Sequence, residues 1–399
     1  MTTHGHAAAV GRDSFEINHG LWVRGRNVIA FLMLVSYICC GFGIVSNHPQ
    51  FYHSYLFAFV YFMMICLGAL FFVQVQFLTG SAWSVPVRRF MENIAALLPM
   101  GALLFIPVAL GMKVLYPWTH PTTDKVILSK AGYLNPEFFL IRAGVYFLIW
   151  TLWSGSIYVQ STKQDTTKSI RQMHILSRWS APGLLLMFLT GSLASFDWVM
   201  SLNPKWYSTI FGIYCLAGGG LAFMAVITLI GLGFRGAGVL KNTITEEHYH
   251  DLGKWMFAIT IFWAYIAFSQ YMLIWYANIP EETIFFKMRN SGSWGYWSML
   301  LLIGHFVVPF LVLLGRAAKR NYQVLALMAL WILAMHFVDI YWLVMPNFTP
   351  YLNLHWMDFA ALIAVGSTLA FQFWWRLKQH ALLPVGDMRF EEGLAFRNA

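Results

Sequence analysis

The sequence predicts an all-α integral membrane protein with about ten transmembrane helices. Composition is the first reason. The 399 residues include only 26 Lys and Arg and 17 Asp and Glu, while apolar types make up 59 % and aromatics 18 %. Soluble domains carry about 25 % charged residues. A water-soluble enzyme with so little charge could not cover its surface, and disorder and collagen-like repeats are excluded by the same numbers. The second reason is the length of the charge-free runs. No Asp, Glu, Lys or Arg falls between Arg26 and Arg88, and further runs cover Asn93 to Met112, Ala143 to Thr162, Trp206 to Phe234, Trp255 to Pro280 and Asn290 to Gly315. A helix needs roughly 20 apolar residues to cross about 30 Å of hydrocarbon. Third, the ten-residue alternation of a membrane β-barrel is absent from the pattern.

In chain order the spans are expected at 28–46, 54–77, 94–116, 138–160, 181–201, 208–233, 255–278, 294–315, 322–344 and 357–377. They form a membrane domain over 28–378 between an N-terminal tail (1–27) and a C-terminal tail (379–399). Span one follows 27 mostly polar residues and lacks a small-residue cleavage site, so it reads as a retained helix. The loop 161–180 is polar and basic and is expected on the inner membrane surface. The longest loop on the opposite side is about 117–137.

Lys and Arg in the loops set the orientation. Nineteen fall on the side of the two tails: Arg12, Arg24 and Arg26 before span one, Arg88 and Arg89, then clusters near 163–178, 235–254, 316–320 and 376–397. Six fall on the other side, Lys113, Lys125, Lys130, Lys205, Lys287 and Arg289, while Arg142 lies within span four. This bias places both termini in the cytoplasm. The net charge of +9 is then a topology signal that suits anionic lipids, with no argument for nucleic acid. Cys39, Cys40, Cys66 and Cys215 all sit inside spans, at spacings that fit neither a disulfide framework nor an iron–sulfur or zinc site. No metal ligands are expected in this chain.

Spans five and nine end alike. One reads Phe196-Asp197-Trp198-Val199-Met200-Ser201-Leu202-Asn203-Pro204, the other Val338-Asp339-Ile340-Tyr341-Trp342-Leu343-Val344-Met345-Pro346. Each places an Asp seven residues before a Pro. Two parallel-repeat four-helix bundles, about 54–201 and 208–344, would account for this, with spans one and ten flanking them.

Ionisable residues inside a membrane are costly and face a bundle interior. Asp197 and Arg142 fall at similar depth on adjacent antiparallel spans, as a structural ion pair or as a proton site. Asp339 and His336 are three apart and share a helix face. His305 falls near the depth of His336 on the neighbouring span. A bis-histidine haem, a proton relay and a packing histidine are the alternatives there, and the absence of a second deep pair weighs against haem. Gln270 and Tyr271 near the end of span seven are candidate carbonyl contacts. Glu281 and Glu282 follow at the outer surface as a proton exit, or simply as a helix start. His355 and Asp358 read as a helix N-terminal signal, and Gln74 and Gln76 as interhelical hydrogen bonds or a water entry. A quinol suits the outer half physically. Its tail partitions into lipid, its hydroxyls need hydrogen-bond partners, and its oxidation releases protons that need acceptors.

The stretches around Asp197 and Asp339, with Ala267-Phe268-Ser269-Gln270-Tyr271 and Pro280-Glu281-Glu282, resemble the NrfD/PsrC-like membrane subunits of bacterial alternative complex III, a quinol:cytochrome c oxidoreductase. The chain looks like the shorter, ActF-like one (quinone-binding subunit 2), and the likeness runs nearly its whole length. The resemblance implies ten spans in two bundles, a quinone or menaquinone as substrate, and no haem or iron–sulfur cluster in this chain. It implies an ActC-like paralogous subunit, an iron–sulfur protein and multihaem and monohaem cytochromes c as partners, besides lipids. It marks Asp197 and Asp339 first, then Gln270 and Tyr271. A proton-conducting scaffold with no quinol site of its own, or a secondary transporter, stays open as an alternative.

Overall fold

The computed structural model describes residues 15–398. Among these the secondary structure is helical, with no strand, and ten helices are long and apolar enough to cross a membrane. The chain is a multi-pass, all-α integral membrane protein. The spans are His19–Ser46, His48–Thr79, Val85–Leu110, Pro136–Thr167, Ile170–Leu202, Phe211–Gly236, Glu246–Ala277, Ser293–Leu314, Tyr322–Asn347 and Trp356–Arg376.

Burial sorts them. Span two is apolar all round and 89 % of its most apolar window is buried, against 17 % for span one. A helix without a polar face has no side to give to water and becomes the core. Spans two and six cross with their backbones touching: a Cβ on Gly68 would lie 2.8 Å from the Gly219 carbonyl oxygen, and one on Gly219 would lie 2.4 Å from that of Met64. Small residues at a crossing allow this approach, which drives association where lipid supplies no hydrophobic force. Spans two to five pack on one another, as do spans six to nine, and spans one and ten pack together against span two. The described termini meet on one face, where the Leu382 N–H donates to the Phe15 carbonyl at 2.8 Å.

Most helices run past the expected ends. The tail expected over 1–27 is helical from His19, and its residues 1–14, Arg12 among them, lie outside the described residues. The loop expected over 161–180 shrinks to Lys168 and Ser169, because span four continues to Thr167 and Ser169 caps the next helix through its hydroxyl. Polar side chains end the hydrocarbon run without ending the helix. Span three differs again. It is helical from Val85, with turns broken near Pro99 and Pro107, where a missing N–H disrupts the ladder. Arg88 and Arg89, expected in a loop, are buried on this helix.

The C-terminal segment is likewise no loose tail. Arg88 pairs with Asp387, Arg89 with Asp165 at 2.6 Å, and Glu92 lies 3.4 Å from both arginines. Gly393 accepts from His248 at 3.0 Å, and Leu382 and Leu383 are buried. Residues 377–398 thus form a strap across the termini face. Burial alone would raise the Asp387 carboxyl. The charge of Arg88 and the Arg389 N–H outweigh it and hold this group below the usual carboxylate range.

Candidate functional site

Span nine presents Asp339 to span six, where Tyr214 donates its hydroxyl to Oδ1. Asp339 is 1 % exposed. The Trp263 indole N–H is turned to the same carboxylate without a regular hydrogen bond to Oδ2, and both ring nitrogens of His305 have no partner among the described residues. These groups are contiguous. The Tyr214 and Trp263 rings are 5.6 Å apart, and His305 stacks on Trp263 at 4.1 Å and 23°. Gly218 supplies the room: a Cβ there would stand 3.2 Å from Asp339 Oδ2 and 3.6 Å from Trp263 Nε1. Buried polar groups are normally paired, so the two free His305 nitrogens beside a loosely held carboxylate mark this place as a candidate site.

His305 sits in a stretch of span eight, Leu301–Val307, wound as a π-helix. Pro309, four residues on, has no N–H for the His305 carbonyl, which relaxes the regular ladder. Single-turn π segments recur at functional sites.

Beside this group lies a cavity of about 840 Å³. Spans seven and eight form its walls, the short helix Pro280–Arg289 its outer rim, and Tyr214, Trp263 and Trp342 its inner side. The lining is overwhelmingly apolar, with Gln270, Tyr271, Asn290 and Ser298 as polar points. Gln270 is buried with its Oε1 unpartnered among the described residues. Tyr265, Phe268, Met299 and Leu302 line the cavity and are exposed, so it opens sideways toward lipid. An apolar cleft with a few convergent polar groups is the usual form of a small-molecule site.

Arg289 lies behind the lining, its guanidinium over the Phe285 ring at 3.6 Å and the Trp342 ring at 5.1 Å. It is 1 % exposed and has no carboxylate partner among the described residues. Its guanidinium donates to the carbonyls of Trp342 at 3.0 Å, Leu343 at 2.8 Å and Phe285 at 3.2 Å. It therefore caps the last turn of span nine, where free carbonyls collect. Burial pushes its pKa down to about 9, against the opposing effect of Tyr214.

The other expected residues fall elsewhere. Arg142 grips Asp197 with Nε at 2.8 Å and Nη2 at 2.9 Å, and Tyr146 adds a third bond at 2.8 Å. The same guanidinium donates to the Tyr133 carbonyl at 2.8 Å and lies over that ring at 3.8 Å. His336 faces span two, with its ring 4.7 Å from Tyr61 and Nε2 3.4 Å from the Tyr61 carbonyl. His305 and His336 thus pack on different neighbours, Trp263 and Tyr61, while lying within electrostatic reach of each other. Glu281 and Glu282 occupy the first turn of the rim helix, where they complement its dipole. Asp358 is fully engaged by Ser54, Gln50, Tyr341 and the His355 N–H. Among the described residues no three His, Cys, Asp or Glu gather as a metal-binding group.

Sequence reasoning missed Tyr214, Trp263 and Arg289. Tyrosine and tryptophan are common throughout this chain, and Arg289 looked like one more loop cation. The one available signal was Ala217-Gly218-Gly219-Gly220 just after Tyr214, a run of small residues that leaves space beside a helix. No family model and no curated protein matches the chain.

Proposed function

We propose that the chain is the ActF-like, NrfD/PsrC-like membrane subunit of an alternative complex III-type quinol:cytochrome c oxidoreductase. It sits in the bacterial inner membrane with both termini in the cytoplasm, and it handles quinol in the cavity between spans seven and eight. The observation that carries this reading is an apolar cavity that opens to lipid, with Tyr214 and Trp263 in its lining and Asp339 and His305 behind them. Oxidation of a quinol to the quinone releases two protons and two electrons. A proton from the quinol hydroxyl reaches Asp339 through Tyr214, which lines the cavity and passes its own hydroxyl proton to the carboxylate as it accepts the quinol's. The bond from the Tyr214 hydroxyl to Oδ1 fixes the carboxylate directly behind the cavity lining. His305, stacked behind Trp263, takes the second proton, and Gln270 in the lining steadies the ring by a hydrogen bond. The electrons leave to partner subunits that carry iron–sulfur and haem groups, among them the multihaem and monohaem cytochromes c, alongside an ActC-like paralogue.

A second reading has its own support. Gln74, Gln76 and Ser154 are buried toward the termini face, each with an unpartnered polar atom among the described residues. Buried polar groups of this kind hold water, as a proton-conducting scaffold without its own quinol would need.

The two separate on one variant. Ala264→Trp fills the cavity from span seven and leaves Asp339, Tyr214 and the termini-face groups alone. Under the quinol reading the assembled complex loses at least about tenfold in quinol:cytochrome c turnover. Unchanged turnover at full assembly contradicts a quinol site in this cavity.

A further inference from the structure

A second groove lies away from the site described above, between spans one, three and ten at the termini face. It encloses about 480 Å³. Met33, Met100 and Phe371 give it an apolar floor, while Gln372, Arg376 and Gln379 line its polar end. Thr368, Gln372 and Arg376 are spaced by four residues and fall on one face of span ten. Arg376 is the last residue of that helix, and Thr368 lies two turns deeper, roughly 12 Å along the axis. The groove therefore runs from a cationic mouth at the membrane surface to an apolar interior. This is the polarity gradient of a phospholipid.

The charge at the mouth is uncompensated. Arg376 forms no ion pair among the described residues, because the nearby carboxylates are taken: Glu92 by Arg88 and Arg89, Asp165 by Arg89, and Asp387 by Arg88. The guanidinium lies over the Tyr158 ring at 4.9 Å with that residue's hydroxyl as a neutral contact, and its Nε is buried without a regular hydrogen bond among those residues. Gln372 Oε1, an acceptor, is in the same state. Lys378 adds a second unpaired cation over the Trp22 ring at 4.2 Å. A ligand that satisfies this set brings an anion for Arg376 and a hydroxyl donor for Gln372. A choline headgroup offers no donor, and its positive charge opposes both cations.

We propose that this groove binds an anionic glycerophospholipid with a hydroxyl-bearing headgroup, drawn from the leaflet at the termini face. The phosphate accepts from Arg376, a headgroup hydroxyl donates to Gln372, and an acyl chain lies along Met33, Phe371 and Met100. This assignment is independent of the quinol reading. Loss of lipid binding leaves that reading standing, and failure of the quinol site leaves this one standing.

The test is native mass spectrometry of the delipidated full-length chain in detergent. It is titrated with phosphatidylglycerol, with phosphatidylcholine of the same acyl chains, and with inorganic phosphate. A charge-assisted hydrogen bond supports about a tenfold preference for phosphatidylglycerol over phosphatidylcholine. Arg376→Gln should bring the two lipids level, and Gln372→Leu should narrow the preference severalfold. Arg235→Gln, a cation elsewhere on the same face, should leave it intact. Should Arg376→Gln fail to fold, Met33→Trp decides, since it fills the apolar floor, spares the polar end and should lower phosphatidylglycerol binding. Equal binding of both lipids by the unaltered chain overturns the proposal, as does a preference that survives Arg376→Gln or Met33→Trp. Competition by inorganic phosphate as strong as that by the lipid also overturns it, because it would mark a surface anion site.

Discussion

Asp197 and Asp339 stand at matching places in two similar stretches of sequence, seven residues before a proline at the end of a span. Their surroundings differ in one decisive respect. Asp197 receives two bonds from Arg142 and one from Tyr146, so both oxygens are occupied and its charge has a partner. Asp339 receives one regular bond, from Tyr214, has only the loosely placed Trp263 indole N–H besides, and has no cation among the described residues. A saturated carboxylate fixes helices. An unsaturated one beside a cavity can exchange a proton. Residue type and position along the helix are therefore insufficient to assign a role, because the neighbouring helices decide it.

The first way to break this contrast carries the largest expected effect. Arg142→Gln leaves Asp197 buried without its cation, which costs about 3–5 kcal/mol when one partner of a buried pair is removed. The expected outcome is a chain that accumulates poorly and melts earlier in detergent, and Asp197→Asn added to Arg142→Gln should recover much of the loss. An Arg142→Gln protein of unaltered melting temperature would show that the pair does not hold spans four and five together.

Gly218→Ala sharpens the other half. The added methyl would stand 3.2 Å from Asp339 Oδ2, close enough to crowd that oxygen without opening a cavity. Quinol turnover should fall severalfold, with a stability change of about 1 kcal/mol or less, since Ala in a helix interior offsets part of the strain. Turnover and melting that fall together would indicate general misfit.

The smallest effect belongs to the strap that both halves share. The Asp387 carboxyl is held below its usual range by Arg88. A depressed carboxylate contributes its stability in full above the unfolded value, near pH 4, and loses it as pH falls through the folded value. Hydrogen exchange at the Leu382 amide, bonded to Phe15, should be slow and flat from pH 8 to 5, apart from the intrinsic rate. Protection should then drop below about pH 4. Loss of protection already at pH 6 would place the latch elsewhere.

Much of this was legible in the sequence. The existence of all ten spans followed from charge-free length, because hydrocarbon tolerates little else. Their ends did not, since a helix keeps its hydrogen bonds after it leaves the membrane. The burial of Arg88 and Arg89 was hidden for a related reason: their partners Asp165 and Asp387 are distant in sequence, and a buried cation has the same spelling as a loop cation. The pairing of Arg142 with Asp197 was readable from depth on adjacent helices. The pairing of Asp339 with Tyr214 was not, because spans six and nine meet only through tertiary packing. Tyr214 and Trp263 were invisible among 18 Tyr and 18 Trp.

The most direct measurement compares Asp339→Asn with the unaltered protein in the assembled complex, as quinol:cytochrome c turnover across pH. Asparagine keeps the shape and the bond from Tyr214 but cannot take a proton. The expected result is normal assembly with turnover lowered by about 10²-fold or more, the usual scale for loss of a positioned proton acceptor. Turnover and a pH profile indistinguishable from those of the unaltered protein, in a complex that assembles fully, would contradict Asp339 as the proton acceptor.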